Sequence, residues 1–239
     1  TLGFLLANGA CLPIEQEVSR ALASRAARGV GGAPLIRRAS IGTLAFAGVL
    51  VSGALLAGPW LVPEVFDDDV MLPKGSTKTD WEVELGVIIG TKARYLEEGE
   101  ALKHVAGYCV VNDVSEREFQ MERLGQWTKG KSADTFGPIG PWLVTADEMQ
   151  DTSNLSLFCN VNGTRRQTGN TQTMVFNVPT LVSYISRFMT LMPGDIIATG
   201  TPPGVALGMK PPLYLKAGDE IHLGVEGLGE QRQKVVAFQ

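Results

Sequence analysis

One stretch constrains this chain more than any other: Thr79-Asp80-Trp81-Glu82-Val83-Glu84-Leu85-Gly86-Val87-Ile88-Ile89-Gly90. Positions 81, 83, 85, 87 and 89 are all apolar, while 82, 84, 86 and 88 are Glu, Glu, Gly and Ile. A period of two predicts a β-strand. Side chains alternate faces along a strand, so Glu82 and Glu84 project from the same face, roughly 7 Å apart along the chain. Two neighbouring carboxylates repel unless solvent, a basic partner, a shared proton or a cation offsets them. Mg²⁺ or Mn²⁺ suits an oxygen-only donor set and keeps coordination positions for a substrate. The competing reading is a solvated edge strand with two ordinary surface glutamates.

The rest of the composition narrows the function classes. A chain of 239 residues with 44% apolar and 19% charged residues suits one large domain or two small ones with a sizeable core. A net charge of −4 and no basic stripe argue against nucleic acid. Three scattered cysteines (Cys11, Cys109, Cys159) do not make a disulfide framework, and two histidines (His104, His222) do not suit a His/Cys zinc site. No G-x-S-x-G, P-loop or dinucleotide fingerprint occurs.

Residues 1–72 differ in composition from residues 73–239: Ala, Gly and Leu dominate, and the first Lys is Lys74. Residues 15–28 have the pattern of a short amphipathic helix. Residues 41–62 carry no charge and are long enough to span a membrane, but their glycines and Pro59 interrupt a helix. The hydrophilic remainder favours a core segment over a span, and a cytoplasmic location. Residues 1–72 therefore stand as an atypical segment before a domain at 73–239. Asp67-Asp68-Asp69 reads as a solvated turn, since further ligands at calcium-loop spacing are absent.

Beyond the central strand, Glu97 to His104 reads as a short helix, and Gly107 to Val114 as a buried strand ending in Asn112 and Asp113. An Asp delivered by a strand end is either a third metal carboxylate or a helix N-cap. Residues 125–138 form a Gly-rich polar loop whose Lys129 and Lys131 either balance nearby carboxylates or are simply solvated. Asn162-Gly163 predicts a type I′ hairpin. Pro179 opens a helix with an apolar stripe of Leu181, Ile185, Phe188 and Met192, closed at Pro193-Gly194. Asp195 to Thr199 reads as a strand running into Gly200-Thr201-Pro202-Pro203-Gly204, either an anion-binding turn or a plain one. Strands are expected over 220–226 and 231–238.

Taken in order, DWEVELGVIIG, YCVVNDVSEREFQ, GQWTKGKSADTFGP, NTQTMVF and GDIIATGTPPGV resemble the fumarylacetoacetate hydrolase superfamily over about Gly58 to Gln239. The likeness is greatest to the bacterial branch acting on 2,4-diketo-3-deoxy sugar acids, whose relatives are often labelled ureidoglycolate lyase or 2-hydroxyhepta-2,4-diene-1,7-dioate isomerase. The resemblance implies an α+β, mainly β fold, a mixed roll with short flanking helices, usually as a homodimer. It implies Mg²⁺ or Mn²⁺ held by Glu82, Glu84 and Asp113. Arg117 and Gln120 match residues lining the substrate site, Lys131 matches the active-site lysine, and Gly200 and Thr201 match the turn that binds the substrate carboxylate. The branch also carries an upstream G-L-N-Y-x-x-H-x-x-E stretch whose His/Glu pair activates water, and residues 1–72 contain no match to it.

The expected activity is metal-dependent hydrolysis of a C–C bond in a 2,4-dioxo acid, giving pyruvate and a second acid. The metal would bind and polarise the 2-oxo acid end, and Lys131 would help stabilise the enolate leaving group. Isomerisation and oxaloacetate decarboxylation keep the enolate chemistry without hydrolysis. A catalytically impaired metal-binding homologue is the non-enzyme alternative.

Overall fold

The central strand does form, over Val83–Ile89, with Trp81 and Glu82 separating it from a two-residue strand at Thr79–Asp80. In the computed structural model, residues 69–149 and 151–239 are described, and they fall within one unit, Asp68–Gln239. The expected helix at 15–28 and the uncharged run at 41–62 lie outside the described residues, as do Asp67 and Asp68. Among the described residues no helix is long and apolar enough to cross a membrane.

The strands in chain order are β1 (Val70–Met71), β2 (Thr79–Asp80), β3 (Val83–Ile89), β4 (Val105–Asn112), β5 (Ser115–Glu116), β6 (Ile139–Thr145), β7 (Ser156–Val161), β8 (Thr164–Asn170), β9 (Ile196–Ala198), β10 (Glu220–Val225) and β11 (Gly229–Val236). The helices are short: α1 (Glu98–Ala101), α2 (Thr128–Lys131) and α3 (Val178–Ser186). One antiparallel sheet runs β6-β4-β3-β9. A second runs β1-β11-β10-β7-β8 and is mixed, because β1 joins β11 in parallel. A small ribbon pairs β2 with β5. This is the mainly β α+β fold with short helices expected from the sequence.

The period of two explains how the sheets meet. Trp81, Val83, Leu85, Val87 and Ile89 are all at most 1% exposed and join Val110, Leu157, Ile221 and Leu223 in a single core. The other face of β3 is left with Glu84, Gly86 and Ile88. The hairpin at Asn162-Gly163 forms as expected: φ is 51° and 72° at its two turn residues, both in the left-handed region that this turn requires.

The helix after Pro179 corrects the sequence reading. It begins as expected, with the Asn177 side chain accepting from the Thr180 N–H, but it ends at Ser186. Its buried face is Val178, Val182, Ser183 and Ser186; of the expected stripe, Ile185 packs against the core and Leu181 is half-buried, while Phe188 and Met192 are 70% and 49% exposed. The reason lies in the serines. Ser183 donates to the Leu96 carbonyl, and Ser186 accepts from the Leu96 N–H and donates to the Ser183 carbonyl. Their hydroxyls satisfy backbone groups of the segment before α1, so small polar residues face inward where the apolar stripe was expected.

Candidate metal centre

The carboxylates converge where the β3–β4 ladder opens. Glu82 precedes β3 and Glu84 lies within it; Asp113 follows β4, and its N–H donates to the Glu82 carbonyl across the ladder end at 2.9 Å. Glu82, Glu84 and Asp113 each offer an oxygen, and these atoms lie within 4.8 Å of one another. Asp113 does not cap a helix. Its carboxylate instead meets Lys131, whose Nζ is 2.5 Å from Asp113 Oδ2 and 2.8 Å from Glu82 Oε2. Lys131 reaches the cluster because α2 packs closely on the turn at Glu118–Glu122. A Cβ at Gly130 would lie 2.5 Å from Gln120 Cβ and 2.7 Å from the Glu116 carbonyl oxygen.

Behind this cluster stands a second layer. Arg117, 4% exposed, donates from Nη2 to Glu82 Oε1 at 2.5 Å, from Nε to Asp80 Oδ2 at 2.9 Å and from Nη1 to Gln120 Oε1 at 3.1 Å. Gln120 is itself buried. The Gly200 N–H donates to Glu84 Oε2 at 2.7 Å. The Thr201 hydroxyl donates to the Val83 carbonyl at 2.9 Å and accepts from Gln167 Nε2 at 2.8 Å. So three of the four residues expected to touch substrate, Arg117, Gly200 and Thr201, donate to the carboxylates or to the strand that carries them, and the fourth, Gln120, accepts from Arg117. Arg117 and Gln120 are buried behind the cluster, whereas Gly200 is exposed, Thr201 is half-buried, and both line a cavity. Lys131, with a side chain 20% exposed, and Asp113, at 24%, form the open rim.

Two residues of this layer escaped the sequence reading. Asp80 opens the central stretch and is fully buried, accepting from the N–H groups of Trp81, Ala206 and Leu207 as well as from Arg117. Gln167, also fully buried, accepts from the Val83 N–H at 3.0 Å and so ties β8 to the carboxylate strand. A polar residue at the start of an apolar strand is the only local signal for Asp80; for Gln167 there is none. Among the described residues the histidines stand elsewhere: His104 pairs with Thr91, and His222 with Glu230.

Burial dominates the electrostatics. It pushes the Glu84 carboxyl up to about 8, against the Gly200 hydrogen bond, with Asp113 and Glu82 adding repulsion. Asp113 is raised by burial and partly restored by Lys131, and Asp80 is raised by burial against Arg117. Desolvation opposes the Arg117 charge, but Glu82 and Asp80 outweigh it and hold its pKa above the usual value. When all are ionised, the four linked carboxylates and two cations leave a formal charge of −2. A divalent cation matches that charge, and its preferred ligands are the oxygens on offer. A cavity of about 350 Å³, lined by Met174, Val175, Phe176, Leu181 and Pro202, opens beside Gly200 and Thr201. It also reaches Leu85, which leaves β3 on the face opposite Glu84.

A mainly β domain with three carboxylates and a lysine converging at a sheet end defines a candidate carboxylate metal centre. The profile of the fumarylacetoacetate (FAA) hydrolase C-terminal family matches residues 64–236, and the chain belongs to that family, whose members are enzymes. It is 63% identical over 169 residues to a Burkholderia cenocepacia (strain HI2424) protein described only provisionally as a hydrolase, a match covering 70% of this chain and 60% of that protein. The chain thus spans about 60% of the length of this curated relative. It is similar to the fumarylacetoacetate hydrolase of psychrophilic Exiguobacterium antarcticum, at 44% identity and TM-score 0.69 over 72% of this chain and 62% of that one. It is also similar to the fumarylpyruvate hydrolase of Pseudomonas aeruginosa solved with Mn²⁺ and pyruvate, at 32% identity and TM-score 0.65 over 71% of each chain.

Proposed function

We propose that this protein is a divalent-cation-dependent hydrolase of 2,4-dioxo acids, either acylpyruvates or 2,4-diketo-3-deoxy sugar acids. The reading is carried by one observation: Glu82, Glu84 and Asp113 bring carboxylate oxygens within 4.8 Å of one another, with Lys131 at the open rim. Mn²⁺ and pyruvate in the Pseudomonas aeruginosa fumarylpyruvate hydrolase structure support it. In this reading Glu82, Glu84 and Asp113 hold Mg²⁺ or Mn²⁺. The bound cation would supply Lewis acidity toward a 2-oxo acid and offset its negative charge.

The chain's own groups do the rest. Arg117 and the Gly200 N–H hold Glu82 and Glu84 in place before any ligand arrives, so little reorganisation is needed on binding. Gln120 and Thr201 brace that arrangement, through Arg117 and through the Val83 carbonyl. The Lys131 ammonium, which meets Glu82 and Asp113 at the rim, would stabilise the enolate oxygen formed when the bond between C3 and C4 breaks. Water adds its oxygen to the C4 acyl group, giving a carboxylate, and the departing carbon takes a proton to give pyruvate. The overall change is one dioxo acid plus one water to two acids, with no redox partner.

The test is product analysis with an acylpyruvate, with and without Mn²⁺. Metal-dependent pyruvate and carboxylate in equal amounts are expected. Release of CO₂ from oxaloacetate, or a rearranged isomer with no fragments, would instead assign the enolate chemistry to decarboxylation or isomerisation. No turnover with intact Mn²⁺ binding would leave a metal-binding homologue without hydrolase activity.

A further inference from the structure

Asp80 does not face the cluster, yet it is the most heavily hydrogen-bonded carboxylate near it. Oδ1 accepts from the N–H groups of Trp81 at 2.9 Å and Ala206 at 2.7 Å, and Oδ2 from the Leu207 N–H at 3.0 Å and Arg117 Nε at 2.9 Å. Residues 80 and 206 are 126 positions apart, so this fully buried side chain ties the chain beyond the Gly200-Thr201 turn to the start of the carboxylate strand. Its most consequential partner is Arg117. A guanidinium beside a carboxylate tends to fork across both oxygens in a bidentate pair. Here it does not: Arg117 reaches only Glu82 Oε1, and Glu82 Oε2 points to Lys131.

We infer that Asp80 is a positioning residue: by holding Arg117 Nε, it limits Arg117 to one oxygen of Glu82 and leaves the other, Oε2, on the side of the cluster where Lys131 meets it. The geometry behind this is the chain Asp80 Oδ2 to Arg117 Nε, then Arg117 Nη2 to Glu82 Oε1. Without Asp80, Arg117 is free to rotate and take both Glu82 oxygens, withdrawing a ligand from the cluster. The inference rests on the cation-site reading for its effect on metal, but its geometric content stands without a metal.

Two experiments on the full chain test it. The first is a crystal structure of Asp80→Ala without added metal, where no side-chain acceptor remains for Arg117 Nε–H. Arg117 forked across both Glu82 oxygens, or swung off Glu82, is expected; an Arg117–Glu82 contact unchanged from wild type overturns the inference. The second is a double-mutant cycle for Mn²⁺ affinity, by calorimetry well below the melting temperature, over wild type, Asp80→Ala, Arg117→Lys and the double variant. Each single variant should weaken Mn²⁺ at least tenfold, and the double variant should be no weaker than the worse single. Additive losses, or an Asp80→Ala protein with wild-type affinity, overturn the relay through Arg117, whereas a stability role alone would lower melting temperatures and leave affinities unchanged. Wild-type protein that binds no Mn²⁺ refutes the cation-site reading instead, and the crystal structure of Asp80→Ala still decides the role of Asp80.

Discussion

Replacing Glu84 with Gln should stabilise the metal-free protein while abolishing its response to Mn²⁺. Burial raises the Glu84 carboxyl from 4.5 to about 8. A folded-state pKa above the unfolded value contributes stability that is full below about 4.5 and is lost as pH rises toward 8. At pH 7 the unfolded chain gains from ionising over some 2.5 units that the folded chain cannot use. At about 1.4 kcal/mol per unit, this costs the native state about 3 kcal/mol. Gln has no such cost, and its side-chain oxygen can still accept from the Gly200 N–H. A domain of this size shifts by about 2–4 °C per kcal/mol, so Glu84→Gln should melt roughly 6–12 °C higher at pH 7 in the presence of a chelator. At pH 5 the difference should shrink to about 1 kcal/mol, because the unfolded carboxyl is then only partly ionised. Differential scanning calorimetry at both pH values, with chelator and with Mn²⁺, reads all of this. A gap between variant and wild type that does not change from pH 5 to pH 7 refutes the burial argument. A Mn²⁺-induced rise as large in the variant as in wild type refutes Glu84 as a ligand.

Further outcomes can be checked in parallel. On any dioxo acid that is turned over, Lys131→Met should lower kcat far more than it changes KM, a loss of about 2–4 kcal/mol in transition-state stabilisation; steady-state kinetics decide, and an unchanged kcat removes Lys131 from the chemistry. Thr201→Val deletes a hydroxyl that donates to the Val83 carbonyl and accepts from Gln167, so urea denaturation should show a loss of about 1–3 kcal/mol. In titrations of the same variant at saturating Mn²⁺, oxalate affinity should stay near wild type; a tenfold loss would return Thr201 to direct contact with the ligand. Gly130→Ala forces a Cβ against Gln120 and the Glu116 carbonyl, and should cost about 1–3 kcal/mol. A wild-type urea midpoint for that variant would show that α2 can move away without penalty.

The sequence alone determined the parts of this protein that depend on near neighbours. Alternation from Trp81 to Ile89 set one apolar face against the core and left Glu84 on the other, because side chains on a strand must alternate. Asn162-Gly163 determined its hairpin because its backbone tolerates positive φ at both positions. Asp113 was legible as a carboxylate at a strand end, although a cap explained it equally well until Lys131 was seen against it. What only the tertiary structure decided is where each donor is used. Of the stripe expected on α3, Phe188 and Met192 fall outside the helix and stay exposed, and Ser183 and Ser186 face inward beside Ile185 because Leu96, far off in sequence, offers them backbone groups. Arg117, Gln120, Gly200 and Thr201 share a neighbourhood with the carboxylates, as their motifs implied, but only the fold puts Arg117 and Gln120 behind the cluster and Gly200 and Thr201 on the wall of a cavity. Asp80 meets Arg117 across 37 positions and Ala206 across 126, and Gln167 meets Val83 across 84. No local pattern encodes such pairings. They are settled when the sheets close and water is excluded, because each buried charge and backbone group must then find its partner among whatever the fold has brought within about 3 Å.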